Sequence, residues 1–135
     1  MTTLLSRTLL VSLATTAVIS LAGAQAKTAT EFYLQYRQAF DKATKVEELL
    51  PYLAKARREE IEKTPVDERA DMFEFMKILG TLTDLKVVGE KRTDAGYELK
   101  ATVVDSDGAP STGTILIVKE GQDWKVDQES WTSKG

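Results

Sequence analysis

The stretch GTILIVKEGQDWKVDQESW, residues 113–131, decides the fold. Its four consecutive apolar residues, 115–118, are typical of a strand, and the segment GQD at 121–123 predicts a turn. From Trp124 onward, apolar and polar residues alternate again, which indicates a second strand ending near Trp131. Strands joined by so short a turn pair in an antiparallel hairpin, so we expect a sheet at this end of the chain.

Two more strands are predicted upstream of this hairpin. The run LKVVGEK at 85–91 is followed by the turn TDAG at 93–96 and by a stretch with apolar residues at every second position, 97–103. Residues 105–113, DSDGAPSTG, have the composition of a loop, so the third strand is expected at 114–120. Short connections between all four strands predict an antiparallel meander.

The residues before this sheet have helical patterns. Thr28 and Glu31 form a capping-box signal, and Phe32, Tyr36 and Phe40 follow at helical spacing, which predicts a first helix of about four turns. A short helix at 44–50, ended by Pro51, and a charged helix at 52–63 are expected next. The last predicted helix begins at Thr64-Pro65 and stops at Gly80, and its inward side consists of Met72, Phe73, Phe75, Met76, Ile78 and Leu79. Helices followed by an antiparallel sheet predict an α+β fold with the helices on one face.

The first 26 residues have the pattern of a signal peptide. Arg7 precedes an apolar run, 9–21, and Ala24-Gln25-Ala26 is a small-x-small cleavage pattern. We therefore expect residues 1–26 to be removed and residues 27–135 to form a single domain, periplasmic or secreted, with no stable membrane anchor after cleavage. An uncleaved anchor is the alternative interpretation of this leader.

Composition excludes several kinds of chemistry. The chain has no His and no Cys, which removes a histidine base, a thiol nucleophile and the usual zinc or copper site. We expect no cofactor and no metal. Without Arg7 the expected mature chain has 17 basic and 21 acidic residues, a net charge of −4 with no basic stripe, so nucleic acid is not an expected partner.

The two tryptophans are predicted to lie on opposite faces of the last strand. They are seven residues apart, and an odd offset in a regular strand reverses the direction of the side chain. Trp124 is expected in the core beside Val126, and Trp131 on the outer face unless a bulge shifts it. Two of the four apolar residues at 115–118 must also point away from the helices. We assign Ile115, Ile117 and Trp131 to an outward interface, through which two copies would pair by their sheets.

The element order, with GTILIVKEGQDWKVDQESW and VEELLPYLAKARRE at 46–59, resembles the nuclear transport factor 2-like superfamily. It looks most like the SnoaL-like and small exported bacterial domains of unknown function within it. The resemblance implies a cone, in which a curved, cystatin-like four-stranded sheet wraps around the helices, with a pocket at the wide end and frequent dimers through the sheet. Ketosteroid isomerases, cyclases and dehydratases of that superfamily use carboxylates and tyrosines in this pocket.

Four side chains are candidates for lining such a pocket: Tyr33, Tyr36, Tyr52 and Asp84. Packing of the tyrosines between helix and sheet, with the hydroxyl at the rim, is the simpler alternative. We therefore expect a non-catalytic exported domain that binds a small apolar ligand or a protein partner. The alternative function is an isomerase, cyclase or dehydratase of the ketosteroid-isomerase type that uses Asp and Tyr.

Overall fold

A computed structural model of the chain describes Ala26 and the residue ranges 28–104 and 107–133. Within these residues there are three α-helices, α1 (Ala29–Lys42), α2 (Lys55–Lys63) and α3 (Arg69–Leu79), and two 3₁₀ segments, Val46–Tyr52 and Val66–Glu68. The strands are β1 (Thr83–Arg92), β2 (Gly96–Val104), β3 (Pro110–Glu120) and β4 (Asp123–Ser133).

The four strands form one antiparallel sheet in the order β1-β2-β3-β4. The predicted α+β class and the predicted meander are therefore confirmed. The third strand begins at Pro110 rather than Thr114, because Ser111, Thr112 and Gly113 pair with both β2 and β4. Pairing on two sides satisfies the backbone groups of these residues, and their loop-like composition does not prevent it.

Helix α1 lies against the sheet and supplies one wall of the core. The Thr28 hydroxyl accepts a hydrogen bond from the Glu31 amide at 3.1 Å, as the capping signal predicts. One face of α1 is buried, namely Phe32, Tyr33, Tyr36, Arg37 and Phe40. On the sheet side the core contains Leu99, Ala101, Ile115, Ile117 and Val126. The space between α1 and the sheet is thus filled by side chains.

The chain between α1 and α2 reaches the edge of the sheet. Pro51 lies inside the 3₁₀ segment Val46–Tyr52, which extends past the predicted end at Leu50. Leu53 then forms a parallel bridge to Val126, and the Ala54 amide donates to the Val126 carbonyl at 2.9 Å. Helix α2 therefore begins at Lys55, three residues later than the sequence predicts. This bridge holds α2 beside strand β4.

Only part of the predicted inward side of α3 is buried. Phe73 is 6% exposed, and Met72 and Met76 are partly buried. Three residues of the predicted inward side point to solvent instead, with exposures of 62–68%: Phe75, Ile78 and Leu79. The sequence prediction is wrong for these residues, because α3 packs along one side only and its apolar residues occupy more of the helix surface than that contact covers.

Strand β4 contains a bulge that changes the direction of its side chains. Ile117 pairs with Val126 but Leu116 pairs with Gln128, so Asp127 is an extra residue without a partner in β3. Past this point, Trp131 lies opposite Gly113, and it packs against the core. The prediction of an outward Trp131 is therefore wrong, since the bulge adds one residue to the offset between the tryptophans.

The predicted leader lies outside the described residues, so cleavage and export stay predictions. Among the residues that are described, no helix combines the length and the apolar character needed to cross a membrane.

Candidate ligand cavity

A cavity of about 510 Å³ lies between α2, α3 and β4. One part of its wall is apolar and consists of Leu53, Ile61, Met72, Met76 and Val126. The other part is polar and consists of Tyr36, Arg57, Glu60, Asp127, Gln128, Glu129 and Ser130. This volume is in the usual range for binding sites of small molecules, roughly 300–1,000 Å³.

The cavity follows the outer edge of β4. Five consecutive residues, 126–130, line it. Side chains alternate between the two faces of a strand, so consecutive residues can share one cavity only along an edge or at a bulge. The bridge from Leu53 pairs with this edge at Val126, and α2 follows with Arg57, Glu60 and Ile61 in the wall of the cavity.

Glu129, which lines the cavity, is held by two buried side chains of α1. The Tyr33 hydroxyl donates to Glu129 Oε2 at 2.7 Å, and Arg37 Nη1 lies 3.4 Å from the same oxygen. Arg37 also donates through Nη2 to the carbonyl of Gly80, and its guanidinium lies 4.4 Å from the centre of the Phe40 ring. With these partners a buried arginine is neutralised and oriented.

Burial and Glu129 together keep two tyrosines protonated. Desolvation raises the pKa of Tyr33 far above its usual value, and the charge of Glu129 and the hydrogen bond to it act in the same direction. The pKa of Tyr36 is raised by the same causes, burial first. Both phenols therefore stay protonated at a pH at which an unperturbed tyrosine ionises.

The remaining charged groups of the cavity differ in their pairing. Arg57 Nη1 donates to Glu60 Oε2 at 2.8 Å, so these two charges compensate each other. The Nε atom of Arg57 is buried and has no hydrogen-bond partner among the described residues. Asp127, the bulge residue, makes no hydrogen bond or ion pair to any part of the chain that the structure describes.

The four residues predicted to line a pocket have different positions. Tyr36 lines the cavity, whereas Tyr33 is fully buried and donates a hydrogen bond to Glu129, which lines it. Tyr52 packs against Tyr36 with the ring centres 6.0 Å apart and the rings tilted by 48°, and it does not line the cavity. Asp84 is exposed near the start of β1 with a φ of 53°. It does not line this cavity, which follows β4, the strand farthest from β1 in the sheet.

The predicted interface residues also need correction. Ile115 and Ile117 are both 0% exposed and belong to the core under the helices. The outward pair of β3 is instead Leu116 and Val118, which are partly buried. With Trp131 also on the helix side, none of the three assigned residues lies on the outer face of the sheet.

Sequence reasoning missed Glu129, Asp127 and Arg57. A regular alternation of side chains along β4 places Glu129 on the outer face of the sheet together with Trp131. The bulge at Asp127 turns both side chains to the helix side. Arg57 belongs to a charge run that is typical of a solvated helix face. A carboxylate two residues before a tryptophan, in a strand opposite a helix with several tyrosines, is a weak signal for a buried pair.

Trp124 lies near the start of β4 and does not line this cavity. Its ring packs edge to face on Tyr97 with centres 5.5 Å apart, and the Lys119 ammonium lies 4.5 Å from the ring centre. Trp124 is partly buried and packs against the edge of the core, whereas the sequence predicts it inside the core.

Over the described ranges, no group of three acidic, histidine or cysteine side chains is placed to hold a metal ion.

Comparison of the chain with protein-family models, with curated proteins and with solved structures finds no match. The resemblance to the nuclear transport factor 2-like superfamily therefore stays a prediction.

Proposed function

We propose that the protein binds a small, largely apolar ligand in the cavity between α2, α3 and β4. The observation that carries the proposal is the cavity itself, which combines a volume of about 510 Å³ with one apolar and one polar part of its wall. Pockets for small molecules have this composition, in which apolar side chains supply affinity and a few polar groups fix orientation. Met72 and Met76 add a flexible surface that adapts to ligand shape.

The pair of Tyr33 and Glu129 is not arranged for proton transfer to a ligand. A ketosteroid-isomerase type of mechanism needs a tyrosine or acid that reaches the substrate and a carboxylate free to accept a proton. Glu129 Oε2 already accepts from Tyr33 and contacts Arg37, and Tyr33 is fully buried. Both groups are thus engaged with each other, which favours a role in holding α1 against β4.

We further propose that the domain is exported and belongs to the nuclear transport factor 2-like superfamily, with the sheet curved around the helices as in a cone. The leader pattern at 1–26 and the helix-then-meander order support this proposal. The intact mass of the exported protein is the test of export. We expect a chain that begins at Lys27, and a mass that includes the leader would contradict cleavage.

Binding can be tested with decanol as a neutral apolar probe. Met72 and Met76 line the cavity, so ¹³C-labelled methionine methyl groups report occupancy directly. We expect saturable shifts of both methyl signals. Met76→Trp should fill part of the cavity and abolish the shift of Met72, whereas Phe75→Trp, on the exposed side of the same helix, should leave binding unchanged. Unchanged methyl signals at saturating decanol would overturn the proposed function.

A further inference from the structure

The pairing of charges around the cavity identifies one free group. Three carboxylates and one guanidinium belong to its wall. Glu60 is paired with Arg57 at 2.8 Å, and Glu129 is held by Tyr33 and Arg37. Asp127 alone among these carboxylates has no hydrogen bond or ion pair to the described residues. The cavity therefore presents one uncompensated negative charge beside an apolar wall.

The bulge explains why this charge is at the cavity. Asp127 is the extra residue of β4, between Val126, which lines the apolar part, and Gln128. Bulges change the direction of a side chain and occur often beside functional sites. In a regular strand, the residue after the buried Val126 would point to the opposite face of the sheet. The irregular backbone thus places a carboxylate and an apolar surface side by side.

We propose that the ligand is a hydrophobic amine, whose ammonium group pairs with Asp127 while its apolar part contacts Ile61, Met72 and Met76. This inference rests on the proposed function, since it concerns the same cavity. The Tyr36 side chain, which also lines the cavity, offers an aromatic surface for the carbon atoms next to the nitrogen. A charge-assisted hydrogen bond in a partly enclosed site is stronger than one in water.

The same charges discriminate against other amphipathic ligands. A fatty-acid carboxylate would meet Asp127 without a compensating cation, because Arg57 is already bound to Glu60 and its free Nε atom is buried away from solvent. A neutral alcohol would bind through its chain alone. The expected order of affinity is therefore amine, then alcohol, then carboxylate.

Decylamine, decanol and decanoate share one chain length and differ only in the head group. They therefore separate the contribution of the head-group charge to affinity from that of the apolar chain. The methionine methyl signals of the full chain at pH 7 give the three dissociation constants. We expect decylamine to bind at least about tenfold more tightly than decanol, and decanoate more weakly than decanol. Asp127→Asn should reduce the affinity for decylamine to that for decanol and leave decanol unchanged. Asp123→Asn, an exposed change in the same strand, is the matched control and should change nothing.

The outcomes distinguish this inference from the proposed function. Equal affinity for the amine and the alcohol, or an amine preference that persists in Asp127→Asn, would overturn the inference and leave ligand binding intact. Failure of all three compounds to bind would overturn both. As a second measurement on the unmodified protein, the advantage of the amine should fall with rising salt concentration, because an ion pair open to solvent is screened. An advantage independent of salt would also contradict the pairing with Asp127.

Discussion

At the scale of single residues, the fold depends on a contact between side chains 96 positions apart in the chain. Tyr33 from α1 donates to Glu129 from β4 at 2.7 Å, and Arg37, one turn further along α1, approaches the same carboxylate. Each of these polar groups would be costly to bury alone. Together they satisfy one another and hold α1 against β4.

Tyr33→Phe tests the contribution of this hydrogen bond. The change removes the hydroxyl without altering the ring, so we expect a loss of about 1–2 kcal/mol in the free energy of unfolding, measured with denaturant. Tyr52→Phe is the control, because the Tyr52 hydroxyl makes no hydrogen bond to the described residues and should cost less than about 0.5 kcal/mol. Equal losses for both variants would contradict the assigned role of the pair.

The raised pKa values of Tyr33 and Tyr36 predict alkaline destabilisation. An unfolded chain ionises its tyrosines near pH 10, whereas these two phenols stay protonated in the folded state. The unfolded state therefore binds fewer protons above about pH 10, and stability falls as pH rises, by about 1.4 kcal/mol per pH unit for each tyrosine. Below about pH 10 this contribution to stability is fully present.

Denaturant unfolding between about pH 9 and pH 11.5 measures this slope. In Tyr33→Phe one of the two groups is removed, so we expect a shallower fall above pH 10 than in the unmodified protein. Identical slopes would mean that Tyr33 ionises in the folded state.

At the scale of elements, helix α3 shows that an apolar residue in a helical pattern is not always buried. Phe73 and Phe75 are two residues apart, which places them on different sides of the helix, and their exposures are 6% and 62%. Phe73 packs edge to face on Phe40 of α1 with ring centres 6.4 Å apart. The sequence alone assigns both to the same apolar side.

This pair of phenylalanines gives a matched comparison. Phe73→Ala should cost about 3–5 kcal/mol in the free energy of unfolding, as truncation of buried aromatic residues does. Phe75→Ala should stay within about 0.5 kcal/mol, because its side chain is mostly in contact with water. Similar effects of the two changes in denaturant unfolding would show that α3 is rotated relative to this description.

Strand β4 depends on a glycine opposite its last tryptophan. The Trp131 ring lies over Gly113 so closely that a Cβ atom at residue 113 would overlap three of its ring atoms. The position opposite Trp131 therefore accepts no side chain unless the ring moves.

Gly113→Ala should destabilise the protein by about 1–3 kcal/mol, the usual cost of an added methyl group in a filled site. In the background of Trp131→Leu the same change should cost much less, and a double-mutant cycle measures this coupling. Additive effects of the two changes would indicate that Trp131 does not lie over residue 113, and that the bulge does not bring it to the helix side.

At the scale of the whole molecule, the described surface includes apolar residues on the exposed side of α3 and on the outer face of the sheet. On the outer face, Leu116 and Val118 are partly buried. Pairing of two copies through the sheet stays a prediction, and the residues that would mediate it are now Leu116 and Val118 rather than Ile115 and Ile117.

Sedimentation equilibrium at high micromolar concentration tests this homodimer. We expect a larger mass for the unmodified protein than for the variant Leu116→Thr with Val118→Lys, because the variant places a charge in the centre of the proposed contact. Equal, monomeric masses for both proteins would contradict pairing through the sheet.

The sequence by itself determined the class and order of the elements. Helical spacing after Thr28, the two-residue alternation after Asp84 and the turn at 121–123 are local patterns, and α1 and all four strands lie close to where these patterns place them. Local patterns succeed here because capping, side-chain periodicity and turn geometry act between residues that are near each other in the chain. The composition, with no His and no Cys, excludes histidine and cysteine chemistry without any structure.

Only the tertiary structure decided which faces these elements present and where the cavity lies. A single extra residue, Asp127, reverses the side-chain direction of everything after it in β4, and no local pattern marks its position. The same residue moves Glu129 and Trp131 to the helix side, while the bridge at Leu53 holds the start of α2 at the strand edge. Register, bulges and the gaps between elements result from packing of distant segments against each other, which depends on contacts that periodicity does not contain.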